Sequence, residues 1–170
     1  MHYFDYVRRL LAEHATLVFE EGAVELGPFH NPSLAPSAPP WNMDWLIKFH
    51  DAHHIQIKER WFPEIVSAPR TANLGYRKHF SFHYGTTNPA TDRRGFPLRD
   101  PLNFPPILRI DCDRHGPHIH LHGNDHILQN RVQGLTITAA DPFGFVRAVM
   151  NHRANAARGL DDIMGFKVLP

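Results

Sequence analysis

The chain has 170 residues, 42% of them apolar and 21% charged, with a formal net charge of +1. That length fits one domain over residues 1–170 with a core of its own, and the near-zero charge excludes a global pull toward nucleic acid, leaving only local patches for such a partner. A single cysteine excludes an internal disulfide framework and a multi-cysteine zinc site.

The N-terminus lacks a basic head followed by an apolar run, and no apolar stretch reaches membrane-spanning length. The expectation is a soluble, cytoplasmic protein with no membrane partner. Tyr3, Tyr6, Val7, Leu10 and Leu11 form the apolar stripe of an amphipathic helix over 2–14. Thr16–Glu20 and Ala23–Leu26, flanking Glu21-Gly22, read as a tight hairpin. The segment from Pro28 to Pro40 contains five prolines, a composition that holds neither ladder nor helix. This segment reads as an extended surface loop, with a docking arm for another chain as the second reading.

Trp45–His50 and His54–Trp61 form the next hairpin, around Asp51-Ala52-His53. Its second strand alternates Ile55, Ile57, Glu59 and Trp61 against His54, Gln56, Lys58 and Arg60. The segment 77–84 alternates Lys78, Phe80, Phe82 and Tyr84 against Arg77, His79, Ser81 and His83. The segment 86–106 is a long loop, of the kind that tends to be functional or mobile.

The densest signal is Ile107 to His122. Two alternating runs, joined by His115-Gly116-Pro117, set Leu108, Ile110 and Cys112 against Arg109, Asp111 and Asp113, then Ile119 and Leu121 against His118, His120 and His122. Cys112 falls on the apolar side, as a small core residue. Further on, Leu135–Thr138 reads as a short strand. Asp141 reads as the N-cap of a helix with Pro142 at its first position, Phe145, Val146, Val149 and Met150 inward, and an end near Ala157, before Gly159.

These elements predict an α+β domain: a mainly antiparallel sheet of five to seven strands, with N-terminal and C-terminal helices packed on one face. Loops 28–40 and 86–106 are insertions. The face away from the helices then collects Gln56, Lys58, His79, Ser81, His83, Arg109, Asp111, His118, His120 and His122, where a solvated sheet would carry Thr, Ser, Lys or Glu. Three readings of that face stay open. In the first, His118, His120 and His83 exchange protons without a cofactor, Asp111 orients a histidine, Arg109 and Lys58 hold a phosphate, and His79 and His122 line the substrate. RNA suits this scheme, because its 2′-hydroxyl supplies an internal nucleophile. In the second, His118, His120, His122 and Asp111 ligate zinc or another divalent transition metal, for a hydrolase or oxygenase. In the third, the histidines serve hydrogen bonding or a homo-oligomer interface in a non-catalytic binding protein. Isolated histidines such as His2, His14, His30 and His152 read as ordinary surface or packing residues.

Two resemblances follow from these residues. His118-Ile-His-Leu-His122 looks like the triad of the histidine-triad nucleotide hydrolases, although Gly123-Asn124 stands where that family has apolar residues. A longer, ordered resemblance runs through Asp51-Ala-His-His-Ile-Gln-Ile-Lys-Glu59, Arg77-Lys-His-Phe-Ser-Phe-His-Tyr84, Arg109-Ile-Asp-Cys-Asp113 and His115-Gly-Pro-His-Ile-His-Leu-His122. This succession, over roughly 44–150, resembles the TumE-like toxin family of bacterial toxin–antitoxin systems. Asp111-Cys112-Asp113 departs from that family's Arg-x-Asp-Asn step, and the two insertions lengthen the chain. The resemblance implies a growth-inhibiting toxin aimed at nucleic acid and neutralised by a cognate antitoxin. The positions matching its pattern are Lys58, Glu59, His83, Arg109, Asp111, His118, His120 and His122.

Overall fold

The computed structural model describes residues 8, 9, 12, 13, 16, 25–26, 41–51, 53–63, 75–86, 106–123 and 125–170. Its centre is a seven-stranded antiparallel meander in which every strand pairs with its neighbour in sequence: β1 (Glu25–Leu26), β2 (Trp41–Lys48), β3 (His53–Pro63), β4 (Gly75–Thr86), β5 (Leu108–Asp113), β6 (Gly116–Leu121) and β7 (Ile127–Leu128). A two-stranded ribbon pairs β8 (Val132–Gln133) with β9 (Lys167–Val168). Two helices lie near the C-terminus, α1 (Pro142–Ala154) and α2 (Leu160–Met164). The mainly antiparallel sheet with a C-terminal helix layer matches the expected class.

Directly opposed residues share a face, so the register lays out both sides of the sheet. One row runs Trp45, Ile57, Phe82, Ile110, Ile119 and Ile127 across β2 to β7. This is the core face; the first five of these side chains are fully enclosed. Helix α1 packs against it, its Phe145 ring 5.7 Å from that of Phe82. The helix starts as its sequence dictates: Asp141 Oδ2 accepts from the Gly144 N–H at 2.9 Å, and Pro142 occupies the first turn, where no N–H is needed. It ends at Ala154, three residues short of the expected Ala157. Cys112 is half-buried against the core, and burial pushes its thiol above the ordinary range.

Three expectations need correction. Arg77 lies on the core face, not with His79. The register steps from Arg60–His79 to Trp61–Arg77, so Lys78 is a bulged residue and the alternation flips there. Arg77 Nη1 donates to Glu59 Oε1 at 2.8 Å, its Nη2 to the Ala140 carbonyl, and its guanidinium covers the Phe80 ring at 4.2 Å. The bulge thereby supplies the counter-charge for Glu59, a buried carboxylate that also accepts from Trp61 Nε1 at 3.0 Å. Leu135–Thr138 forms no strand: Ile137–Ala139 is a 3-10 turn that plugs Ile137 into the core. A short apolar run fits either element, and burial of one side chain decided it. Finally, Thr16 is helical and its hydroxyl donates to the Ala12 carbonyl, so it does not open a strand.

Arg8, Arg9, Ala12, Glu13 and Thr16 are helical, and Arg9 caps the Phe143 ring at 3.9 Å. The rest of the N-terminal helix, the turn of the first hairpin, loop 28–40 and the interior of loop 86–106 lie outside the described residues. Among the described residues no helix is long and apolar enough to cross a membrane.

Candidate functional site

On the other face of the sheet two adjacent rows carry the chemistry. Asp44, Lys58, Ser81, Asp111 and His118 oppose one another across β2 to β6, and so do Leu46, Gln56, His83, Arg109 and His120. The alternation therefore places Lys58, His83, Arg109, Asp111, His118 and His120 on one surface, as expected. His79 joins them opposite Arg60.

This surface is not the wet face that was expected. His54, His83, Asp111, His118 and His120 are all buried, and Asp111 and His118 are at most 1% exposed. The His54 and His83 rings stack at 5.0 Å. The His83 ring lies over Gly85, where a Cβ would come within 2.8 Å of its Nε2, so glycine two residues on makes room for the imidazole. Burial, and then the charges of His54, Arg109, Lys58 and His120, lower the pKa of His83 to about 3. At neutral pH it is therefore uncharged, which argues against the acid half of its expected part in proton exchange.

Asp111 is the hub. Its Oδ2 lies 2.6 Å from Arg109 Nε, 3.4 Å from His118 Nε2 and 3.4 Å from His120 Nε2. The Arg109 N–H is not aimed at that oxygen, so the contact is an ion pair without a hydrogen bond. Neither carboxylate oxygen accepts a hydrogen bond from the described residues. His118 Nδ1 sits 2.9 Å from the Gly116 carbonyl. A carbonyl only accepts, so Nδ1 carries the proton and Nε2 is the atom turned toward Asp111. Asp113, 4.0 Å from His118 Nδ1, adds a second carboxylate. Burial raises its pKa, but the His115 N–H and the nearby His118, His115 and Arg109 outweigh that and hold it below the ordinary range.

The third imidazole is not His122. Strand β6 ends at Leu121, and His122 adopts φ 52 with its side chain exposed. The chain then folds back so that Ile119 opposes Ile127 and His118 opposes Leu128. Continuing that register brings His126 opposite His120. The His126 ring lies 4.5 Å from both the His118 and the His120 rings. One ring nitrogen from each of these three residues lies within 4.8 Å of the other two. His126 is the exposed member, so the cluster reaches solvent there. The residue was missed, yet the signal was present: Gly123-Asn124-Asp125 is a turn composition, and Ile127-Leu128 resumes a strand pattern.

Beside the hub, a cleft of about 460 Å³ is lined by Asp44, Lys58, Arg60, His79, Ser81 and Asp113, among others. Ser81 opposes both Lys58 and Asp111, so the cleft adjoins the hub across one strand. Comparison of the chain with protein-family models, curated proteins and solved structures gives no match.

Proposed function

We propose that the protein is a phosphodiester-cleaving enzyme of the toxin class that acts on RNA at the histidine-rich face of its sheet. One observation carries this reading: Arg109, Asp111, His118 and His120 converge beside a cleft edged by Lys58 and Arg60. Lys58, Arg60 and Arg109 neutralise the phosphate, which a cation can do at any angle and a guanidinium does with directed hydrogen bonds. The hub of Asp111, His118 and His120 activates the ribose 2′-hydroxyl. The 2′-oxygen attacks phosphorus and its proton leaves to the hub. The bond from phosphorus to the 5′-oxygen breaks, and that oxygen takes a proton from half-exposed His79 at the cleft. The products are a 2′,3′-cyclic phosphate and a free 5′-hydroxyl. The toxin class is supported by the ordered motif resemblance, and brings with it a cytoplasmic setting and a cognate antitoxin as partner.

The test is cleavage of an RNA oligonucleotide beside the same oligonucleotide 2′-O-methylated throughout. Cleavage of the first alone, with cyclic-phosphate ends, is expected. His120→Ala and the bulkier His120→Gln should abolish it, with the circular dichroism spectrum of the folded protein retained. RNA cleavage at the wild-type rate by a folded His120 variant, or no RNA cleavage and no growth inhibition by the wild type, counts against the reading.

A further inference from the structure

We infer that His118, His120 and His126, with Asp111 set against two of them, form a binding site for one divalent transition-metal ion of the zinc class. The argument begins with distances. Metal–ligand bonds of about 2.0–2.1 Å to a tetrahedral ion hold ligand atoms about 3.3–3.4 Å apart. Asp111 Oδ2, 3.4 Å from His118 Nε2 and 3.4 Å from His120 Nε2, lies against two of the ligands as a neighbouring carboxylate. The third imidazole comes from His126, which has a ring nitrogen within 4.8 Å of those of the other two.

Ring orientation points the same way. The Gly116 carbonyl accepts from His118 Nδ1, which turns Nε2 toward a carboxylate oxygen and toward the other two imidazoles. A ring whose far nitrogen donates to a backbone carbonyl is also the usual supporting arrangement of a metal-ligating histidine. Asp111 is 1% exposed and pairs with Arg109 Nε at 2.6 Å, yet neither of its oxygens accepts a hydrogen bond from the described residues, so a cation on the adjoining imidazoles would add to the compensation of its buried charge.

Three imidazole donors suit zinc, cobalt, nickel or iron rather than calcium or magnesium. Cys112 lies on the opposite face and takes no part. The solvent-facing side, at His126, is where a water or a substrate oxygen would complete the coordination. What the ion does there rests on the phosphodiester reading, in which it would lower the pKa of the attacking hydroxyl. That the ion binds rests on the geometry alone.

The experiment uses untagged full-length protein purified without chelator, analysed for metal content and then titrated with cobalt(II), whose visible absorption reports its coordination. One ion per chain and a tetrahedral cobalt spectrum are expected in the wild type and in His122→Ala. His126→Ala alters an exposed side chain and so keeps the fold; it should bind the ion about tenfold or more weakly, as removal of even a supporting partner does. No stoichiometric ion and no cobalt spectrum in the wild type, or equal binding by His126→Ala, overturns the inference. No ion bound, with RNA still cleaved, overturns the inference while sparing the phosphodiester reading; an ion bound at these histidines with RNA left intact does the reverse.

Discussion

Replacing Arg77 by Met tests the bulge that sets which residues share a face. The Glu59 side chain is fully enclosed, and its contacts include Arg77 Nη1 at 2.8 Å and Trp61 Nε1 at 3.0 Å. At an effective dielectric constant of about 20, the attraction at that distance is worth about 6 kcal/mol before desolvation is counted. Breaking a buried pair from one side costs about 3–5 kcal/mol, because the remaining charge is left in a poor solvent. For a chain of this size that corresponds to a fall in Tm of roughly 6–20 °C, read by thermal unfolding at pH 7. Adding Glu59→Gln removes the stranded charge, and the double variant should recover more than half of the loss. If Arg77 instead lay beside His79, as unbroken alternation would place it, its loss would cost within about 0.5 kcal/mol, as for other surface positions. A cost that small, or a double variant no more stable than Arg77→Met alone, refutes the bulge and the burial argument together.

Acid should destabilise the protein through His83. Its folded pKa is about 3 against an ordinary 6.5, so between those values the unfolded chain binds a proton that the folded chain does not. Stability is therefore lost as pH falls through that window, by up to about 1.4 kcal/mol per pH unit from this group. The groups facing His83 are His54, Arg109, Lys58 and His120, all of them cationic when protonated, so none offsets the loss. His83→Gln should flatten the acid limb of a denaturant-midpoint series against pH; an unchanged limb contradicts the assignment. Asp141→Ala removes the cap of α1 and should cost about 1 kcal/mol, seen as a Tm lower by roughly 2–4 °C. No shift would mean that the cap bond at Gly144 contributes nothing.

Much of this architecture was legible because strand alternation has a period of two and each run was long enough to fix its phase. Lys58, Ser81, Asp111 and His118 come from four separate strands, yet alternation alone placed them on one face, and the register sets them in one row. The failures come where one residue breaks the period. Lys78 inserts into β4 and sends Arg77 to the core, which no local pattern announces. His122 takes a left-handed conformation one residue past the end of β6, so a continued alternation credits the wrong imidazole and overlooks His126. Burial of the histidine face was illegible for another reason: alternation tells which side chains share a face, not what lies above that face. Polarity suggested water, whereas His54, His83, Asp111, His118 and His120 are enclosed.

The most direct test of the functional centre sets His126→Ala against His122→Ala in one RNA-cleavage assay. These are two exposed histidines four positions apart, and only the first stands with His118 and His120. The account predicts loss of cleavage in His126→Ala and wild-type cleavage in His122→Ala. The opposite pattern, or equal cleavage by both, would contradict it.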